Sequence, residues 1–103
     1  MYSRVYTLRF KSLDQAKIGV SLLSEEIGGA IAEANISSLS ILIDKGATVT
    51  LIVRFDQQDE LDAFVKGKID VLQRLKTAFE LTEYSESTAV AVYLFDREAG
   101  SLS

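Results

Sequence analysis

Arg4 and Tyr6 stand two residues apart in a stretch that alternates apolar and polar residues, and Tyr93 lies in the last apolar run of the chain. Residues two apart on a strand share a face. A guanidinium and phenolic hydroxyls at the ends of apolar bodies make a polar-tipped pocket, suited to a small anionic or phenolic ligand. Arg4, Tyr6 and Tyr93 are therefore the candidate ligand-binding residues. Two other readings stay open. Arg4 could sit at the strand's end and carry its charge to water along its alkyl stem. Tyr93, if it faces the other way, belongs to an interface.

Other chemistry is sparse. The 103 residues include no His, Cys, Trp or Pro. The commonest general base, the thiolate nucleophile and the soft metal ligands are thus all missing. Glu25 and Glu26 are adjacent, so on a helix they point about 100° apart and form no dyad. Asp59, Glu60 and Asp62 fall in a first helical turn, where negative charge complements the helix dipole. Gly28-Gly29 lacks both the GK[ST] that completes a phosphate loop and the GxGxxG spacing. No carboxylate set has metal-ligand spacing, and no cofactor is implied. Whether the chain is an enzyme stays open.

Eleven basic residues against fifteen acidic give a net charge of −4, which offers no footprint for a phosphate backbone. Lys45-Gly46 is followed by Ala47-Thr48-Val49 and not by stacking aromatics, so the RNA-binding arrangement of similar strand order does not fit. The longest apolar run, Ala89 to Phe95, is far short of a membrane span. The N-terminus carries no signal-peptide pattern. With no cysteine, a reducing compartment fits, and the expected location is the cytoplasm.

The elements that must position these residues follow from periodicity. Tyr2 to Phe10 alternates as a strand, with Tyr2, Tyr6, Leu8 and Phe10 on one face. Ser12 and Gln15 form a capping box that starts a helix. Ala16, Val20, Leu23, Ile27 and Ile31 give it one apolar face. The expected end is near Ala34, with Gly28-Gly29 as the place where it could break. Ser38 to Asp44 and Thr48 to Phe55 are strands. A three-residue loop, Lys45 to Ala47, pairs Ile43 with Val49 and aligns their apolar rows, with Gly46 or a neighbour taking a positive φ. Asp56 or Asp59 caps a second helix. Its buried face is Leu61, Phe64, Val65, Ile69, Leu72, Leu75 and Phe79, and Asp62–Lys66 and Asp70–Arg74 pair on its solvent side. Tyr84 to Ser87 reads as a polar connection, and Thr88 to Phe95 as a last strand apolar on both faces.

The order strand–helix–strand–strand–helix–strand is the ferredoxin-like α+β arrangement. It implies a four-stranded antiparallel sheet in the order 4-1-3-2, with both helices on one face. Residues 1–96 form the single domain and 97–103 a polar C-terminal tail. The open face carries Val5, Thr7, Arg9, Ser38, Ser40, Leu42, Thr48, Thr50, Ile52 and Arg54. Arg9 and Arg54 there read as surface or interface charges. A last strand apolar on both sides leaves a row to cover. A second copy packed sheet to sheet covers it, making a homodimer; the alternative cover is the tail.

This pattern, over Tyr2 to Phe95, resembles the dimeric α+β-barrel superfamily and, in size, its antibiotic-biosynthesis-monooxygenase-like branch. The resemblance implies sheets paired face to face and a pocket between sheet and helices. Its haem-dependent branches use His and Trp, which this chain lacks. The first functional reading is a small-molecule-binding dimer for an apolar or phenolic ligand, without an evident catalytic set. The alternatives are a cofactor-independent monooxygenase or isomerase of that type, and a structural or regulatory interaction module. An enclosed apolar pocket above ~300 Å³ favours a ligand and a filled core the module.

Overall fold

β1 (Tyr2–Arg9) of the computed structural model is the alternating segment that opens the chain. The structure describes residues 1–93, apart from the side chain of Ile69. After β1 come α1 (Leu13–Gly28), a short α2 (Ile31–Ala34), β2 (Ser38–Ile43), β3 (Thr48–Phe55), α3 (Gln58–Gly67), α4 (Ile69–Phe79) and β4 (Glu83–Val90). The strands form one sheet in the order β2-β3-β1-β4, every neighbouring pair antiparallel. The helices lie on one side of it. The fold is ferredoxin-like α+β, as the element order implied.

The face assignment follows from the register. Tyr6 is opposite Leu51, Leu8 opposite Val49, and Ile41 opposite Leu51. Tyr6, Leu8, Phe10, Val49, Leu51, Val53 and Phe55 are all buried, with Leu39 and Ile41 packed against them. Leu23 and Ile27 of α1, Leu61 and Phe64 of α3, and Leu72 and Leu75 of α4 close the core from the helix side. Phe10 meets Phe79 edge-on at 5.3 Å, and Phe55 meets Phe64 at the same separation. Ile43 pairs with Val49, so the β2–β3 loop has the expected three residues. Asp44 Oδ1 accepts from the backbone N–H groups of Gly46 and Thr48. The positive φ falls on Ala47, at 65°, next to the glycine.

Four expectations are corrected. The first helix stops at Gly28 instead of running to Ala34. Ala30 adopts φ −100°, ψ 1° and its N–H turns to the Ile27 carbonyl, a tighter i→i−3 bond. Ile31 thereby leaves the buried stripe and is 41% exposed. The second helix starts after Gln57, whose backbone N–H donates to the Glu60 carboxylate at 3.2 Å, and not at Asp56 or Asp59. It also divides at Lys68 (φ −110°, ψ 7°), just past Gly67, whose missing side chain lowers the cost of a break. Among the described residues neither Asp62–Lys66 nor Asp70–Arg74 closes as an ion pair; Arg74 approaches Glu26 of α1 at 3.9 Å instead.

The last strand is the fourth correction. It begins at Glu83, not Thr88, and ends at Val90. Its register is set by β1, which it pairs along the whole length from Arg9↔Glu83 to Tyr2↔Val90. Tyr84 to Ser87 is therefore strand. Leu94 and Phe95, the domain boundary at 96 and the tail from 97 to 103 lie outside the described residues.

Candidate functional site

Strand parity brings Arg4 and Tyr6 of β1 together with Tyr84, Glu86 and Thr88 of β4. In the antiparallel register Arg4 lies opposite Thr88, Tyr6 opposite Glu86, and Leu8 opposite Tyr84. All these side chains stand on the helix-covered face, at the edge where α4 passes over β4. Arg4 Nη2 pairs with Glu86 Oε1 at 2.9 Å, and Nη1 donates to Thr88 Oγ1 at 2.8 Å. The guanidinium carbon lies 5.5 Å from the Tyr6 ring centre. The Tyr84 hydroxyl donates to Glu86 Oε2 at 2.7 Å. Glu86 thus holds one neighbour on each carboxylate oxygen. Lys76 of α4 places Nζ 4.0 Å over the Tyr84 ring, a cation–π contact.

These groups border a cavity of about 210 Å³ lined by Tyr6, Val65, Leu72, Gln73, Lys76, Tyr84 and Glu86. Its floor is apolar and its rim carries an ammonium, an amide and a carboxylate. The volume lies below the ~300 Å³ at which ordinary ligand pockets begin, so it suits a single ring better than a fused polycycle. Arg4 stands behind Glu86 and Tyr6 without lining the cavity. Its Nε is buried and has no hydrogen-bond partner, so one donor is unused.

Burial pushes both phenol groups up from the ordinary value of 10.0. For Tyr6 the neighbouring Arg4 opposes that rise. For Tyr84 the hydrogen bond to Glu86 and the charge of its carboxylate add to it. Both hydroxyls therefore keep their protons at neutral pH. They can donate hydrogen bonds but cannot serve as resting phenolate bases or nucleophiles. Among the described residues no group of three or more Asp or Glu gathers as a metal would require.

Of the three residues singled out in the sequence, Arg4 and Tyr6 come together. Tyr93 does not join them: it lies past the end of β4, is 84% exposed, and does not line the cavity. Tyr84 and Glu86 were hidden because their segment read as a connection. The signal that could have found them is pairwise. Laid antiparallel on β1, Glu83 and Glu86 fall beside Arg9 and Arg4, and Tyr84 continues the row of Leu8.

A larger groove of about 400 Å³ lies between α2 and α3, bordered by Glu33, Asn35, Glu60 and Lys68. Glu60 is already occupied there. One of its oxygens accepts from the Gln57 N–H and the other from the Asn35 side chain. Glu60 thus has both oxygens engaged, as Glu86 has at the smaller cavity.

The chain matches no protein-family model and no curated protein sequence. Solved structures match along nearly all of it. A dimeric ferredoxin-like protein from an uncultured marine organism superposes with a TM-score of 0.71 at 12% identity, covering 94% of this chain and 100% of its own. A second protein so described, also from an uncultured marine organism, gives 0.72 at 10% identity, covering 91% and 97%. A candidate antibiotic biosynthesis monooxygenase from Deinococcus radiodurans gives 0.69 at 16% identity, covering 93% and 97%. The chain shares the ferredoxin-like fold of these proteins. The resemblance to the dimeric α+β-barrel superfamily holds at the level of that fold. Among the described residues no helix is long and apolar enough to cross a membrane.

Proposed function

We propose that the protein binds a small monocyclic phenol or aromatic acid in the cavity between β1, β4 and α4, and works as a homodimer in the cytoplasm. The observation that carries the reading is the arrangement of Arg4, Glu86 and Tyr84 beside a small cavity of about 210 Å³ into which Val65 and Leu72 present apolar surface. Arg4 is mostly withdrawn from water while Glu86 is half exposed, so the pair is only partly desolvated. Here they orient Tyr84 and leave Lys76 and Gln73 at the rim to meet an incoming polar group. Lys76 complements a carboxylate or phenolate, while Leu72 and Val65 meet the ring. Arg4 is a positioning residue, and a role for Tyr93 would lie at the interface between copies.

Two facts support the dimer. The open sheet face carries Val5, Leu42 and Ile52 among threonines, serines and the arginines Arg9 and Arg54, with Leu42 55% exposed. Two of the similar structures are described as dimeric. Isothermal titration with phenol, salicylate and 4-hydroxybenzoate tests the ligand. Saturable heat is expected, strongest for the acids, and Lys76→Ala should weaken the acids more than phenol. No heat across the series at millimolar concentration would sink the reading. A flat oxygen-electrode trace with the same compounds is expected of a binder; sustained oxygen uptake would favour an oxygenase.

A further inference from the structure

We infer that the groove between α2 and α3 binds a free α-amino acid with an aliphatic side chain. Its carboxylate meets Lys68, its ammonium meets Glu33 and Asn35, and its side chain lies against Ala30, Ala63 and Phe64. This site is separate from the cavity between β1, β4 and α4, since the two share no lining residue.

Two helix breaks fall beside the groove. α1 stops at Gly28 and the chain turns helical again as α2 after Ala30; α3 stops at Gly67 and α4 starts after Lys68. Each break leaves helix-end groups without intrahelical partners. Ala30 from the first break, and Gly67 and Lys68 from the second, line this one groove. Its volume of about 400 Å³ lies within the range of ligand pockets. Small residues keep it open: Ala30 and Ala63 stop at one methyl, and a Cβ on Gly67 would meet nothing within 4 Å. Phe64 is 4% exposed, and its ring is held by Phe55 at 5.3 Å. The groove thus offers an aliphatic chain a fixed apolar wall.

The rim sets the charge of the ligand. Glu60 is held by the Asn35 side chain and the Gln57 N–H. Asn35 is itself fixed in the left-handed region, at φ 57° and ψ 45°, which asparagine tolerates. Because its Nδ2 donates to Glu60, its Oδ1 remains an acceptor. Glu33 and Lys68 are the other charges on the rim, one from α2 and one from the end of α3. Among the described residues neither closes an ion pair, with the other or elsewhere. An anion and a cation held apart across one groove complement a molecule that carries both charges. A simple acid would leave Glu33 unmatched, and a simple amine would leave Lys68 unmatched. A free amino acid matches both and keeps its side chain for the apolar wall.

Protein-observed NMR of the full chain with L-leucine tests the site, and two derivatives separate its ends. N-acetyl-leucine lacks the ammonium, and leucinamide lacks the carboxylate. The expected result is saturable amide shifts at Glu33, Asn35, Ala63 and Lys68 with leucine, and binding about fivefold weaker for each derivative. Glu33→Gln should weaken leucine about three- to fivefold and leave N-acetyl-leucine unchanged. Lys68→Gln should weaken leucine as much and leave leucinamide unchanged, the scale of a solvent-accessible charge pair. Ala63→Leu, on the exposed side of α3, should fill the groove and abolish the shifts. An unchanged spectrum away from the groove shows that each variant is folded. No shifts at tens of millimolar leucine, shifts that gather at Tyr6, Lys76 and Tyr84, derivatives that bind as tightly as leucine, or leucine binding that both charge variants leave unchanged would each overturn the inference. Failure of 4-hydroxybenzoate to bind, which carries no ammonium, removes the proposed function and leaves this site standing.

Discussion

Arg4 and Glu86 meet at 2.9 Å across the diagonal of the β1–β4 ladder, with Arg4 only 14% exposed and Glu86 44% exposed at the side chain. The pair is asymmetric: the cation is mostly withdrawn from water and the anion is half wet. Removing the anion strands the cation. Glu86→Ala should therefore cost about 1–2 kcal/mol in urea denaturation, less than the 3–5 kcal/mol typical of a broken buried pair because solvent screens the exposed partner. A loss below about 0.3 kcal/mol would show that Arg4 is hydrated without its partner.

Tyr6 and Tyr84 give a pH dependence with a definite sign. Both titrate above 10.0 in the folded chain. Below pH 10 both states hold these protons, and their contribution to stability is complete. As pH rises through 10 the unfolded chain releases its phenolic protons first, so stability falls until the folded groups ionise too. Stability should decline from about pH 10 upward, and Tyr84→Phe should flatten part of the decline. Ultraviolet titration checks this through the tyrosinate band, whose last increments should appear only as the fold is lost. A curve complete near pH 10 with the fold intact would contradict the burial of these two groups.

Gly19 is a place for close packing. A Cβ there would fall 2.4 Å from Cζ and 2.7 Å from Cε2 of Phe10. That ring is itself buried and held edge-on by Phe79. Alanine favours a helix over glycine by about 1 kcal/mol, but overpacking a filled core costs typically 1–3 kcal/mol. Gly19→Ala should thus be net destabilising, and Gly19→Ala with Phe10→Leu less so than the sum of the two single changes. Chemical denaturation of the four proteins measures that coupling.

Leu51 tests the assignment of faces. It is fully buried opposite Tyr6 and Ile41. Leu51→Ala should cost about 2–5 kcal/mol, whereas Thr50→Ala, on the open face, should cost little in the monomer. A loss under about 1 kcal/mol at Leu51 would mean that the core can collapse around it.

These sites divide along what a sequence makes visible. β1 and β3 were legible because period-two runs of aromatic and branched residues match a half-buried surface. The β2–β3 loop was legible because only one loop length aligns Ile43 with Val49. β4 was misplaced because Ala89 to Phe95 is the more apolar segment, while Glu83 to Thr88 looks like a loop when taken alone. An edge strand draws its order from its neighbour's ladder, and polar residues there also discourage unwanted pairing. The helix breaks had visible markers in Gly28-Gly29 and Gly67. A propensity of about 1 kcal/mol each does not settle continuity without the packing. Half of the site was legible for the same reason: Arg4 stood out as a charge in an apolar row, and its partner appeared only with the register of β4.

The most direct test of a ligand site between β1, β4 and α4 is protein-observed NMR with 4-hydroxybenzoate. The expected result is saturable amide shifts concentrated at Tyr6, Leu72, Gln73, Lys76, Tyr84 and Glu86, with Lys76→Ala reducing the affinity. Shifts that gather between α2 and α3, around Asn35 and Glu60, or none at millimolar ligand, would contradict it.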